Sequence, residues 1–441
     1  MDIHQTIAAI ATAPGEGAIA IVRMSGNEAL SIAAKLFSVP LLKSHVAYYG
    51  KILGANREIL DHALAICMKA PHSYTGEDIV ELHCHGGSFI TKRILERCLE
   101  AGAVTAEPGA FTFRAFMHGK MDLAQAEAVQ ALISAKSAAA MSHAKNQLEG
   151  SISKKVLLLQ DKLFGIAAIL EAWVDFPEEG IEFASLEDVS LDLRLIKEEI
   201  EAFAATFHEG KVLYEGLTLC LIGAPNVGKS SLMNALLRKE RAIVTPIAGT
   251  TRDILEDQMQ IGDLSVRLLD TAGLRETEEI IEQEGIKRSK NALQEADLVL
   301  LVLDASRTLL AEEESLIKSL LPEKTLLIWN KCDLRSDIEG VLKISALQGT
   351  GLDKLKEAIL AKITYNSNKD EVLITALRHK EALDKSAQSL SHVIQGLQEG
   401  TSPEFLTSDL KESLQHLTRI IGKDISEEVL SAIFSRFCIG K

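Results

Sequence analysis

The sequence predicts an α/β and α protein in which a doubly wound α/β domain is inserted into a helical domain that follows an N-terminal α/β unit. Three observations predict it. Residues 216–362 alternate apolar, strand-like runs with helix-like stretches, the pattern of a parallel sheet covered on both faces. On either side, 123–208 and 374–435 carry apolar residues at helical spacing with few breakers. Residues 1–118 mix short β-type runs with helical stretches, punctuated by Pro14-Gly15, Gly86-Gly87 and Pro108-Gly109. The expected organisation is therefore 1–118, a first helical segment over 119–210, the inserted domain over 211–370 and a second helical segment over 371–441. Inserted domains enter and leave at neighbouring points, so two helical halves can close into one domain around an insertion.

In the N-terminal unit, strands are expected at Ala18–Val22, Ala63–Cys67 and Asp78–Leu82, with a helix over 88–101. The opening residues, before Pro14-Gly15, read as a first strand, because no basic segment precedes their apolar stretch. In the inserted domain, strands are expected at Leu217–Ile222, Ile254–Ile261, Ser265–Leu269, Leu298–Leu303, Thr325–Trp329 and Val341–Ile344. Gly262-Asp263 joins the second and third of these as a hairpin. Helices are expected near 229–238, 282–295, 308–320 and 352–364.

Composition narrows the function classes. The chain has 441 residues, too many for one ordinary core, and a formal charge of −15. A protein that held RNA by broad phosphate neutralisation would be basic, so any nucleic-acid contact needs a local patch or a partner. The six cysteines form no C-x-x-C pair, which fits a reducing compartment. The most apolar run, Leu298–Leu303, is far too short to span a bilayer. A cytoplasmic protein is expected.

The first strand of the inserted domain runs into Gly223-Ala-Pro-Asn226-Val227-Gly228-Lys229-Ser230, a match to G-x-x-x-x-G-K-[ST]. Glycines let backbone N–H groups converge on phosphate oxygens at a helix N-terminus. Lys229 supplies charge to the β- and γ-phosphates, and Ser230 offers a hydroxyl to Mg²⁺. Asp270-Thr271-Ala272-Gly273 follows a later strand, with Asp270 expected in the outer shell of Mg²⁺ and the Gly273 N–H at the γ-phosphate. Gly249-Thr250-Thr251 offers a further hydroxyl, that of Thr251. Asn330-Lys331-Cys332-Asp333 follows another strand, and the Asp333 carboxylate can accept from both N1–H and the 2-amino group of guanine. Adenine lacks those donors, so guanine is selected. Ser345-Ala346 completes the base pocket. Ser231 and the stretch Thr245-Pro246-Ile247-Ala248 complete the expected GTP-binding set. Together these motifs point to GTP binding and hydrolysis.

With these motifs in place, the inserted domain resembles the Ras-like, Era-type G domains. The whole chain resembles the MnmE (TrmE) family of tRNA-modification GTPases. The match includes Pro14-Gly-Glu-Gly17, Ile21-Val-Arg23, Tyr74-Thr-Gly-Glu-Asp78, Glu81-Leu-His-Cys-His-Gly-Gly87, Gly119-Lys-Met-Asp-Leu-Ala-Gln-Ala-Glu127 and Phe434-Ser-Arg-Phe-Cys-Ile-Gly-Lys441. The position after Gly273 holds Leu274, where many small GTPases carry a water-orienting glutamine. The resemblance implies two substitutes. One is K⁺, held by Asn226, Thr245, Ile247 and Thr250; the other is Glu282, orienting the attacking water from the acid-rich segment 276–284. Composition alone reads Glu282 as part of a solvated switch face; the resemblance reverses that in favour of the water-orienting role. The resemblance also implies activation by pairing of two G domains.

For the N-terminal unit, the resemblance implies a folate-binding-like dimerisation domain. Arg23, Glu81, Lys120 and Lys441 would there hold a 5-formyl or 5,10-methylene tetrahydrofolate. It further implies a homodimer working on tRNA with the FAD-dependent partner MnmG, in a heterotetramer. The joint reaction would add a (carboxymethyl)aminomethyl group at C5 of the wobble uridine. Cys438 is read either as a thiol acting near the folate carbon or as a packing cysteine. His83-Cys84-His85 are consecutive on a strand-to-turn stretch with side chains alternating in direction, so the three do not share a tetrahedral ion, and a structural or folate-pocket role is expected instead. An interaction switch, such as a ribosome-assembly GTPase, is the competing functional class.

Overall fold

A computed structural model of the chain describes residues 3–175, 185–240, 257–270, 296–335, 342–362 and 372–441. It divides into two compact units, one of 1–133, 147–197 and 385–441 and the other of 134–146 and 198–384. The boundary expected at 210/211 falls inside a helix, Phe207–Glu215.

The first unit opens with a six-stranded sheet made of β1 (Ile7–Ile10), β2 (Gly17–Ser25), β3 (Ala47–Leu53), β4 (Ile59–Met68), β5 (Ile79–Gly86) and β6 (Val104–Thr105), in the order β3-β4-β5-β2-β1-β6. All neighbours run antiparallel except β1 and β6. Alternation along β2 and β5 sends Val22, Met24, Val80, Leu82 and Cys84 to one face. There they pack on α1 (Ala29–Leu36) and α2 (Ser88–Glu100) through Ile32, Leu36, Ile94 and Cys98. The opposite alternation puts Arg23 directly across from Glu81.

Helix α3 (Ala110–Met117) starts at Gly109, whose φ of +69° is left-handed and whose absent Cβ leaves room for the Phe434 carbonyl; an added Cβ would lie 2.6 Å from it. Phe113, Phe116, Phe434 and Phe437 stack there, with Phe113 edge-on to Phe434 at 5.4 Å. Because α14 (Glu427–Phe434) is seated on α3, the last residues of the chain are delivered to β2. The rest of this unit is helical: most of α4 (Leu123–Ser134), the end of α5 (Ala138–Leu148), α6 (Ser151–Asp175), the start of α7 (Leu186–Ala205), much of α12 (Leu377–Glu399) and α13 (Pro403–Ile420). Helices α6 and α13 pack together, tied by Gln160 Nε2 donating to Thr418 Oγ1 at 2.7 Å.

The second unit contains α8 (Phe207–Glu215) and a second six-stranded sheet. Its strands are β7 (Leu217–Ile222), β8 (Asp257–Ile261), β9 (Leu264–Asp270), β10 (Leu298–Asp304), β11 (Thr325–Asn330) and β12 (Leu342–Lys343), ordered β12-β11-β10-β7-β9-β8. Every pairing is parallel except the β8–β9 hairpin, which turns at Gly262-Asp263 as the sequence predicts. Strand β7 is buried on both faces: Leu217, Leu219 and Leu221 enter one core, Cys220 and Ile222 another. Helices α9 (Lys229–Glu240), α10 (Ala311–Ser319) and α11 (Leu352–Lys362) complete the α/β alternation. The expected helix over 282–295 and the part of the first hairpin strand before Asp257 lie outside the described residues.

Candidate functional site: a phosphate loop and a base-recognition loop

Strand β7 ends at Ile222 and the chain turns at once into Gly223. That residue has a φ of +151°, and a Cβ on it would lie 2.3 Å from the carbonyl oxygen of Val302. Only glycine fits this approach to β10. Asn226 and Gly228 also have positive φ, +63° and +96°. A Cβ on Gly228 would come within 2.3 Å of Asn330 Nδ2. The loop then enters α9 at Lys229, so the first-turn N–H groups, which no preceding turn can satisfy, lie where phosphate oxygens are recognised in such loops. The Lys229 ammonium braces the loop by donating to the carbonyls of Gly223 at 2.9 Å and Ala224 at 2.8 Å. Ser230 and Ser231 are exposed on the opening turn, and Val227 is buried beneath the loop.

The residues expected at the base gather at the ends of β11 and β12. Asn330, only 2% exposed, donates through Nδ2 to the Val227 carbonyl at 2.9 Å and accepts at Oδ1 from the Ala346 N–H at 3.0 Å. One side chain thereby joins the phosphate loop to the Ser345-Ala346 turn. Lys331 follows in the left-handed region at +66°, and its ammonium pairs with Asp304 at 2.6 Å. The Cys332 N–H donates to the Ile344 carbonyl at 3.1 Å, Ser345 and Thr350 form a bridge, and the Gln348 N–H donates to Ser345 Oγ at 3.2 Å. Asp333 is exposed on the turn after β11. The protein does not desolvate this carboxylate, so a base seated against it would.

Thr245, Pro246, Ile247, Ala248, Gly249, Thr250, Thr251, Thr271, Ala272, Gly273 and Glu282 lie outside the described residues, and Asp270 is described only as the last residue of β9.

In the first unit, the cross-strand pair expected from register is formed: Arg23 Nε donates to Glu81 Oε1 at 2.8 Å. The other carboxylate oxygen, Oε2, lies 3.2 Å from His83 Nε2. Arg23 also donates to the Gly440 carbonyl at 3.2 Å and sits over the Phe111 ring, 5.7 Å from its centroid. Gly440 has a φ of +90°, and a Cβ there would stand 2.5 Å from the Ile10 carbonyl. The Lys441 carbonyl accepts from the Phe111 N–H at 3.3 Å, which brings the end of the chain beside Arg23. Lys120 is exposed and donates instead to the Pro71 carbonyl at 2.9 Å. Cys438 is exposed, and its carbonyl accepts from the Gly109 N–H at 3.4 Å. The three residues of the His-Cys-His run part company: His83 goes to Glu81, Cys84 is buried, and His85 Nδ1 reaches Asp61 at 2.7 Å. Burial pushes the Cys84 thiol up to about 11.

Comparison with known proteins bears on both units. A model of the MnmE helical domain matches residues 123–438, and a model of the GTP-binding protein TrmE N-terminus matches residues 6–120. The chain is 54% identical to the tRNA modification GTPase MnmE of Protochlamydia amoebophila, covering 99% of this chain and 98% of that one. It is 42% identical to the MnmE proteins of Geobacter sulfurreducens and of Clostridioides difficile, over the full length of both chains in each case. The chain belongs to the MnmE family of tRNA-modification GTPases.

Three contacts at these candidate sites in this MnmE-family chain are not fixed by the sequence motifs themselves. His83 engages Glu81, and a signal for it existed: positions i and i+2 of one strand share a face. The Gly440 carbonyl holds Arg23 across 417 residues of sequence, which no local pattern encodes. Asp304 ends β10 level with Asn330, an adjacency set only by strand register.

Proposed function

We propose that the protein hydrolyses GTP and uses that cycle to take part in adding a (carboxymethyl)aminomethyl group at C5 of the wobble uridine of certain tRNAs. The observation that carries this reading is the junction made by Asn330, whose side chain ties the loop at Val227 to the Ser345-Ala346 turn. In this reading the loop from Gly223 to Ser231 wraps the phosphates, with Lys229 at the β- and γ-positions. Asp333 reads the guanine edge, with Ser345 and Ala346 behind it.

The exposed Ser230 hydroxyl at the start of α9 suits Mg²⁺, with Thr251 as the second hydroxyl. The ion supplies charge neutralisation on the phosphates. Asn226, held in a left-handed turn with its side chain exposed, offers a hard oxygen suited to K⁺, together with Thr245, Ile247 and Thr250. Glu282 orients the attacking water. The Arg23–Glu81 pair, partly exposed and flanked by Phe111, suits a tetrahydrofolate: the carboxylate accepts from an aminopyrimidine edge and the cation meets an anionic or carbonyl oxygen. Lys120 and Lys441 complete that set, and Cys438 lies exposed on the same terminal segment.

The protein works as a homodimer in the cytoplasm with the FAD-dependent partner MnmG. Among the described residues no helix is long and apolar enough to cross a membrane. Hydrolysis of GTP is expected to run substantially faster in K⁺ than in Na⁺ at matched ionic strength. Equal rates in the two salts remove the K⁺ assignment, and no hydrolysis in either removes the GTPase reading.

A further inference from the structure

The buried carboxylate of Asp304 belongs to none of the nucleotide motifs, yet it is fully engaged at their edge. Strands β10 and β11 pair in parallel with Asp304 level with Asn330, and the Ala305 N–H donates to the Asn330 carbonyl at 2.8 Å. This register places the Asp304 side chain one residue from Lys331. Its two oxygens are divided between two tasks. Oδ2 accepts from the Lys331 ammonium at 2.6 Å, while Oδ1 accepts from the Ser306 N–H at 2.9 Å and the Ser306 hydroxyl at 2.6 Å. Asp304 is 8% exposed and Lys331 about one-third, so the pair is only partly screened by water. Burial pushes the Asp304 carboxyl up, but the hydrogen bonds from Lys331 and Ser306 outweigh it and hold the group below the usual carboxylate range.

The segment that follows β10 is itself braced. Arg307 grips Glu313 with two bonds of 2.8 Å, and Glu313, 3% exposed, also accepts from the Leu310 N–H. The carboxylate is therefore offered from a rigid platform, while the lysine it holds is a long side chain with many rotamers. Fixing that lysine before nucleotide arrives removes an ordering penalty from binding.

We propose that Asp304 is a positioning residue for guanine-nucleotide binding, holding Lys331 in one arrangement at the base-recognition turn through their half-buried ion pair. The inference rests on the GTP-binding reading of that turn. Asp304 touches no reacting atom, so it acts on affinity and leaves the chemical step alone.

The test is a double-mutant cycle on the full-length protein, read with a fluorescent GDP analogue and with steady-state GTP hydrolysis. Asp304→Asn keeps an acceptor for Ser306 but loses the charge that holds Lys331. It is expected to raise the Kd about tenfold, the effect of a coupling of middling size between touching groups. The kcat at saturating GTP should stay within about twofold of wild type, since uniform binding alone is removed. In a Lys331→Met background, Asp304→Asn should add nothing. Ser306→Ala, which loosens the turn but spares the ion pair, should leave the Kd unchanged. An unchanged Kd in Asp304→Asn overturns the inference. So does an equal loss in both lysine backgrounds, or a loss in Ser306→Ala that matches Asp304→Asn. Wild-type protein that binds no GDP analogue overturns the GTP-binding reading and the inference with it.

Discussion

Asn330→Ala is expected to weaken GTP and GDP binding by about tenfold to a hundredfold and to lower the melting temperature of the unit that carries it. The side chain is buried and satisfies two backbone groups at once, the Val227 carbonyl and the Ala346 N–H. Val227 is fully buried and Ala346 is 8% exposed, so water does not readily replace either bond. A buried polar group left unpaired costs about 1–3 kcal/mol, and two such groups bring the total to about 2–6 kcal/mol. Part of that appears as lost stability and part as lost affinity, because the phosphate loop and the Ser345-Ala346 turn are no longer registered. Titration with guanine nucleotides and a thermal melt measure both parts. Affinity within about threefold of wild type would show that the two loops are held together by other means.

Arg23→Ala is expected to reduce affinity for 5-formyltetrahydrofolate by about tenfold to a hundredfold, since a hydrogen bond to a charged group contributes about 1.5–3 kcal/mol. The guanidinium is shared among the Glu81 carboxylate, the Gly440 carbonyl and the Phe111 ring. Its removal deletes one face of the proposed folate site and also removes one of the bonds that hold the end of the chain. Arg23→Lys should fall between, because an ammonium keeps the charge but loses the fork that meets Glu81 and Gly440 together. Calorimetric titration separates the three proteins, and guanine-nucleotide affinity serves as the control for correct folding. Folate affinity unchanged in Arg23→Ala would remove Arg23 from that site.

Much of the fold is legible in the sequence wherever one physical signal dominates. The runs Leu217–Ile222, Leu298–Asp304 and Thr325–Asn330 are nearly continuous in apolar residues because both faces of a parallel sheet are covered. The β8–β9 hairpin is announced by Gly262-Asp263, and Gly262 has a φ of +59°. Helix α6 follows from long unbroken helical spacing. Helix α3 is not legible: its sequence, Ala-Phe-Thr-Phe-Arg-Ala-Phe-Met, is rich in residues of weak helix propensity. It forms because its aromatic residues pack on Phe434 and Phe437, more than 300 positions later in the sequence. Strand β3 alternates exposed Ala47, Tyr49 and Lys51 with the less exposed Tyr48, Gly50 and Ile52, and is fixed by its pairing with β4.

The sites divide in the same way. The phosphate loop and the Asn330–Asp333 turn are local motifs, and the chain order of strand, loop and helix places them. The partners that tune them are not local. Asp304 meets Lys331 through the register of two parallel strands, and Arg23 meets Gly440 through the docking of α14 on α3. Arg114 reaches Glu77 at 2.8 Å inside the first unit, although nothing about either residue alone predicts a buried ion pair. Motif reading finds groups that the chain brings together in sequence; packing alone finds those that it brings together in space.

The central claim is that the GTP cycle of this protein serves the modification of tRNA wobble uridines. Its most direct test is mass spectrometry of digested bulk tRNA from a host lacking the gene, complemented with wild type or, separately, with Asp270→Asn. The account predicts loss of the C5-modified wobble uridines on deletion, recovery with wild type, and no recovery with Asp270→Asn. Unchanged C5-modified uridines in the deletion strain would contradict it, and the protein would then be read as a GTPase switch of another process.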